Sequence, residues 1–147
     1  MTSTADAQAY DNSNIFARIL RGELPSHRVY EDDAVIALMD VMPQGTGHTL
    51  VLPRAPSRNI LDADPAVLAK AIAVVQKIAR AAKEAFAADG VTVIQFNEPA
   101  SGQTVFHLHF HIIPRFTGVP LKPHSGKMED NEVLAENATR LRRALGK

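Results

Sequence analysis

The stretch Phe106-His107-Leu108-His109-Phe110-His111-Ile112-Ile113 alternates histidine with a large apolar residue. A helix would scatter the three imidazoles around its axis. A strand repeats every two residues and sends His107, His109 and His111 to one face, with Phe106, Leu108, Phe110 and Ile112 on the other. The stretch is therefore predicted to be a strand whose apolar face packs on a core. Three imidazoles in a row are poor core filler, and they repel one another when charged together. Their face is read as the working surface of the molecule.

The rest of the chain must supply that core and frame that surface. A short helix is predicted over 15–21, capped by Asn12 or Ser13 and stopped by Gly22, with Ile15, Ile19 and Leu20 inward. Residues 27–31 and 34–39 read as a strand hairpin turning at Asp32-Asp33, and 48–52 as a third strand closed by Pro53. A turn of helix is expected at 57–61. Asp64-Pro65 then opens a long helix over 66–88, with Leu68, Ile72, Val75, Ile78 (or Ala79), Ala82 and Phe86 on its inner stripe and Gly90 as its stop. Residues 91–96 form a fourth strand, and a polar loop over 97–104 leads into the histidine strand, which Pro114 ends. Residues 116–127 look irregular, and 130–145 could form a last amphipathic helix. This order points to an α+β domain: an antiparallel five-stranded sheet with one long helix and shorter ones.

Composition narrows the function. The 147 residues suffice for one domain with a real core, and 46% hydrophobic residues argue against bulk disorder. A formal net charge of zero argues against a general nucleic-acid or membrane-surface binder, which would want a basic excess. The absence of cysteine removes disulfides, zinc–thiolate sites and cysteine nucleophiles. No segment has the order of a signal peptide or the length of a membrane span, so a cytoplasmic protein is expected.

Three chemistries fit histidines on a strand. Two of them could chelate a metal with His48, Glu98 or Asp40 as a third ligand, although same-face neighbours about 6.5–7 Å apart converge poorly on one ion. Alternatively, an imidazole could attack phosphorus and form a covalent intermediate, with one ring nitrogen basic and the other held by an acceptor. Flanking histidines and the adjoining Gly102-Gln103-Thr104 would then stabilise the transferring group. The third possibility is that the histidines are incidental.

The motif resembles the signature of the histidine triad (HIT) family. Ser101-Gly102-Gln103-Thr104-Val105-Phe106 is similar to the segment that precedes the triad there, as are Ile15-Phe16, the stretch 40–48, His48-Thr49-Leu50-Val51-Leu52-Pro53 and Asn97-Glu98 to other family segments. The likeness runs over about 14–115 and is nearest the bacterial Hint-like branch. With residues 1–12 small, polar and without period, the chain is expected to comprise a mobile N-terminal tail (1–12), a HIT domain (13–115) and a C-terminal extension with a helix (116–147). The likeness implies a nucleotide hydrolase acting at an α-phosphate. His109 would be the nucleophile, His107 would orient it, and His111 would contact phosphate oxygens. Gln103, Thr104 and Gly102 would lie at the phosphate with Asn97 near, His48 would lie nearby among the substrate-binding residues, and Asp40 and Val41 would hold the ribose. The implied substrates are AMP or GMP conjugates joined through P–N bonds. The alternatives are dinucleoside polyphosphate hydrolysis, as in the Fhit-like branch, and nucleotide binding or scaffolding with little turnover. A homodimer is implied, and no catalytic metal. Many relatives hold a structural zinc through a Cys-x-x-Cys pair; here those positions are Asn14 and Ala17, so that zinc is not expected.

Overall fold

The computed structural model describes residues 9–123 and 127–147. Its helices are α1 (Ile15–Leu20), α2 (Pro65–Ala85) and α3 (Asn131–Ala144), and its strands are β1 (Arg28–Glu31), β2 (Val35–Met39), β3 (Thr49–Pro53), β4 (Gly90–Ile94) and β5 (Phe110–Arg115). The strands form one sheet in the order β1-β2-β3-β5-β4, and every neighbouring pair is antiparallel. The expected α+β architecture with five antiparallel strands is observed. Among the described residues, no helix is long and apolar enough to cross a membrane.

Both faces of the central strands are covered, which is why β2 and β3 read as nearly continuous apolar runs. Val35, Ala37, Met39, Val51, Phe110 and Ile112 face α2 and α3. Ile36, Leu38, Leu50 and Leu52 face the opposite way, against Phe16 and Ile19 of α1.

The long helix starts as its sequence dictates. The Asp64 carboxylate accepts from the Ala66 N–H at 2.8 Å, and Pro65 occupies the first turn. It ends earlier than expected, at Ala85, and Gly90 is the first residue of β4 rather than the stop. Ala87 turns left-handed at φ +49°, with Ala87 N–H on Glu84 O and Ala88 N–H on Lys83 O, a Schellman closure. The buried stripe is Ala71, Val74, Val75, Ile78, Ala81 and Ala82, and Ile72 is 53% exposed. The alanines on the inner face let the helix lie close to the sheet, so the expected stripe, drawn through the larger residues, was partly misplaced.

Helix α3 is no appendage. Leu134, Ala138 and Leu141 share the α2 core. Arg142 Nη1 donates to the Arg28 carbonyl at 2.7 Å, and His27 Nε2 donates to Asn131 Oδ1 at the same distance. Of the expected mobile tail, residues 1–8 lie outside the described residues, while 10–12 are tied to the domain: Asn12 O accepts from Arg21 at 2.8 Å, and the Tyr10 hydroxyl reaches His107.

The histidine strand also differs from expectation. Regular pairing begins at Phe110, because the β3 residue that would face Leu108 is Pro53, which has no N–H to give. Leu108 N–H donates instead to the Ser57 carbonyl at 2.8 Å. Pro114 does not end the strand. Asp89 N–H bonds to Arg115 O, so odd-numbered β5 residues bond toward β4, and the Pro114 nitrogen faces the side on which β3 has already ended.

Candidate active site

The three triad histidines are held in three different ways. His107 is fully buried. A carbonyl can only accept, so the 2.8 Å contact between its Nε2 and Pro53 O puts the ring proton on Nε2. Nδ1 then accepts from the Tyr10 hydroxyl at 2.5 Å. Burial pushes the His107 pKa down to about 4, against the raising effect of the Pro53 carbonyl and with a smaller lowering from His109. His107 is therefore neutral at pH 7.

His109 donates from Nδ1 to the His107 main-chain carbonyl at 2.7 Å, which makes Nε2 its basic nitrogen. The ring of Phe16 stands edge-on 4.8 Å away. His107 thus meets its neighbour through backbone rather than through its imidazole.

His111 is reached through a relay from the 40–48 loop. The Gln44 N–H donates to His48 Nδ1 at 3.0 Å, so a neutral His48 carries its proton on Nε2. That nitrogen lies 2.9 Å from His111 Nδ1 and 3.4 Å from Asp40 Oδ2. A neutral His111 that accepts at Nδ1 keeps its proton on Nε2. The other Asp40 oxygen accepts from Met42 N–H at 2.8 Å. Gly47, one residue before His48, sits at φ +82°, and a Cβ there would lie 2.6 Å from the Phe86 ring. The end of α2 therefore sets the backbone that carries His48.

The 97–104 loop is built differently. Glu98 holds φ +74°, rare for a side-chain-bearing residue. Its carboxylate is gripped by Arg58 at 2.8 and 2.9 Å and by Asn59 Nδ2 at 2.6 Å, and the guanidinium holds it below the usual carboxylate range. Gln103 is buried with its whole amide engaged. Oε1 accepts from Glu98 N–H and Asn59 Nδ2, while Nε2 donates to the Arg58 and Val105 carbonyls. Asn97, expected near the phosphate, is instead bonded to Gln95 and the Ile60 N–H. Its amide holds a turn. Gly102 takes φ +110° against the Phe96 ring.

Two cavities meet at the histidines. The larger, about 290 Å³, is walled mainly by apolar side chains such as Phe16, Ile19, Leu38 and Leu50, and also by Asp40 and Val41. The smaller, about 110 Å³, is bounded by Gln44, Phe96, Gly102 and Gln103. His109, His111 and Thr104 line both. Of the expected site residues, Asp40, Val41, Gly102, Gln103, Thr104, His109 and His111 border these spaces. His48 and His107 stand behind them, and Asn97 lies outside.

Asp40, His48 and His111 present ligand atoms within 4.8 Å of one another and are the described cluster able to approach a metal. Their facing nitrogens share a hydrogen bond here. The zinc-ligand positions of the Cys-x-x-Cys relatives do not fit that metal. The Asn14 amide oxygen caps α1 on the Ala17 N–H at 2.9 Å, its nitrogen donates to Asp11 O, and Ala17 offers only a buried methyl.

Several partners escaped the sequence reading. Tyr10 sits in a polar stretch with no period. Gln44 acts through its main-chain N–H, which no motif shows. Arg58 and Asn59 carry no local pattern, and their role exists only once Glu98 is folded against them.

The HIT-domain profile matches residues 21–118. The fold superposes on a Hit-like protein of Bartonella henselae, solved with an unknown ligand, with a TM-score of 0.87 and 60% identity over 92% of this chain and 99% of that one. A hypothetical histidine triad nucleotide-binding protein of Sulfolobus tokodaii gives a TM-score of 0.83 with 34% identity, over 89% of this chain and 91% of that one. In sequence, the chain is 32% identical over 130 residues to the adenylylsulfatase HINT3 of Arabidopsis thaliana, covering 84% of this chain and 66% of that protein.

Proposed function

Since this chain belongs to the HIT family of nucleotide-binding proteins and hydrolases, we propose that it cleaves purine nucleoside monophosphate conjugates at the α-phosphate through a nucleotidyl–His109 intermediate. The observation that carries this reading is the position of His109. Its basic Nε2 belongs to a ring that borders both cavities, so a phosphorus between them has a nucleoside side and a leaving-group side.

The nucleoside occupies the apolar cavity, with Asp40 as acceptor for ribose hydroxyls. His109 Nε2 attacks phosphorus as the bond to the leaving amine breaks, and the amine departs after taking a proton passed through the triad. Water then attacks phosphorus and gives a proton back to the triad, the P–N bond to His109 breaks, and its electron pair returns to Nε2. The products are the nucleoside monophosphate and the amine. His111 Nε2–H and Thr104 bind phosphate oxygens as charge shifts onto them. Gln103 holds the loop that presents Thr104, and no metal takes part. The smaller cavity suits an amine or a sulfate better than a second nucleoside, which favours this reading over dinucleoside polyphosphate hydrolysis.

The proposed protein works as a homodimer. Strand β4 is an open edge carrying the half-exposed Val93, and the neighbouring α2 presents Ile72 outward.

The test is AMP release from adenosine 5′-phosphoramidate, with and without EDTA, by the wild type and His109→Ala. Release that survives EDTA and falls at least about 10⁴-fold in His109→Ala is expected. Full activity in the variant sinks the covalent mechanism, and loss in EDTA moves the reaction to the Asp40–His48–His111 cluster. Tight AMP binding without release favours a binding protein.

A further inference from the structure

Met128 is an exposed apolar residue whose type the core does not explain. It is 68% exposed and lies outside both buried clusters, yet it lines the larger cavity. Its position is fixed by main-chain bonds on the facing loop. The next residue, Glu129, donates its N–H to the Val41 carbonyl at 2.8 Å. Further back, Lys122 N–H donates to Gln44 O at 2.8 Å, and Gln44 Nε2 returns a bond to Lys122 O at 3.3 Å. The far side of Met128 is anchored where His27 meets Asn131, at the start of α3. The chain beyond β5 is thus pinned to the 41–44 loop at two places, and one of them delivers a thioether to the cavity rim.

Met128 borders only the larger cavity and is absent from the smaller one beside His109. A phosphate held at His109 directs its nucleoside into the larger space. A methionine at the rim is unbranched and polarisable, able to cover the face of an aromatic ring without a fixed shape of its own. We propose that Met128 is a specificity-determining residue that closes over the base of the bound nucleotide, so that the segment after β5 reads the nucleobase. This rests on the assignment of the larger cavity to the nucleoside.

The test compares AMP with ribose 5-phosphate, which shares the phosphate and sugar and lacks the base. The chain has four methionines, so the ε-methyl carbon–proton spectrum of the full-length protein is simple, and Met128→Ala assigns the relevant peak. The Met128 methyl is expected to shift upfield under the ring current of AMP and to stay in place with ribose 5-phosphate. In parallel, Met128→Ala should weaken AMP binding about fivefold by calorimetry, with ribose 5-phosphate affinity matched in the two proteins. Met128→Leu should recover most of the loss. AMP that binds the wild type without moving the Met128 methyl, or with equal affinity in Met128→Ala, overturns the proposal and leaves the hydrolase reading standing. A wild type that binds neither ligand overturns the cavity assignment itself, and this inference with it.

Discussion

Two loops flank the histidines, and they use their polar groups in opposite directions. In the 40–48 loop, the Gln44 amide, His48 and Asp40 form a relay that ends on the ring of His111. In the 97–104 loop, Glu98, Gln103 and Asn97 bond to Arg58, Asn59, Gln95 and the surrounding main chain. Both contain residues that a motif reader assigns to substrate. The difference follows from backbone geometry. A loop that holds Glu98 at positive φ needs its own side chains to over-determine that conformation, so Gln103 lines the site with its amide already engaged, beside Thr104 and Gly102. The first loop takes its shape from outside, from Phe86 against Gly47 and from the segment after β5, so its side chains can serve the histidines.

The largest expected effect comes from breaking the outside support. Gly47→Ala adds a Cβ where the Phe86 ring stands and strains a left-handed residue, a cost of about 2–5 kcal/mol in urea unfolding. Activity per folded molecule should also fall, because His48 moves with it. Unchanged activity in the folded fraction would separate the relay from catalysis.

Between about pH 6.5 and pH 4 a stability response is expected from His107, which belongs to neither loop. The unfolded chain protonates His107 below about 6.5, whereas the native ring, held down by burial, waits until about 4. Between those values the unfolded state binds the extra proton, so stability drops by roughly 3 kcal/mol as the pH is lowered from about 6.5 to about 4, and this contribution levels off below pH 4. His107→Asn should reduce the slope of unfolding free energy against pH by up to one proton in that window. An unaltered slope would assign the response elsewhere.

Gln103→Ala should cost about 2 kcal/mol, since it strips a partner from each of two donors and two carbonyls that are buried or half-buried. Turnover per folded molecule should stay within about threefold of wild type. A much larger drop in turnover with unchanged stability would return Gln103 to the chemistry and erase the contrast between the loops. Asn97→Ala should be milder, about 1 kcal/mol with little change in turnover, as expected of a turn-holding amide.

The sheet, its antiparallel strands and the long helix were legible because period-two and period-3.6 patterns are local properties of sequence. The common face of His109 and His111 was legible for the same reason, with ring centroids 4.9 Å apart. The start of β5 was not, because it depends on what Pro53 of another strand fails to donate. Ile72 was misassigned because alanines, which carry little hydrophobic signal, define the close-packed face of α2. Tyr10, Gln44 and Arg58 were invisible for a common reason: each acts on a residue distant in sequence or through main-chain atoms.

The bond between Tyr10 and His107 spans 97 residues. At a synthesis rate of roughly 5–20 residues per second, the ribosome needs about 5–20 s to make the stretch between them. Throughout that interval the tyrosine has been made and its imidazole has not. The Arg142 bond to the Arg28 carbonyl spans 114 residues and is available later still. The nascent chain therefore emerges with its first strands ready to pair and its reactive centre unassembled, and the site matures as one of the last events in the birth of the molecule.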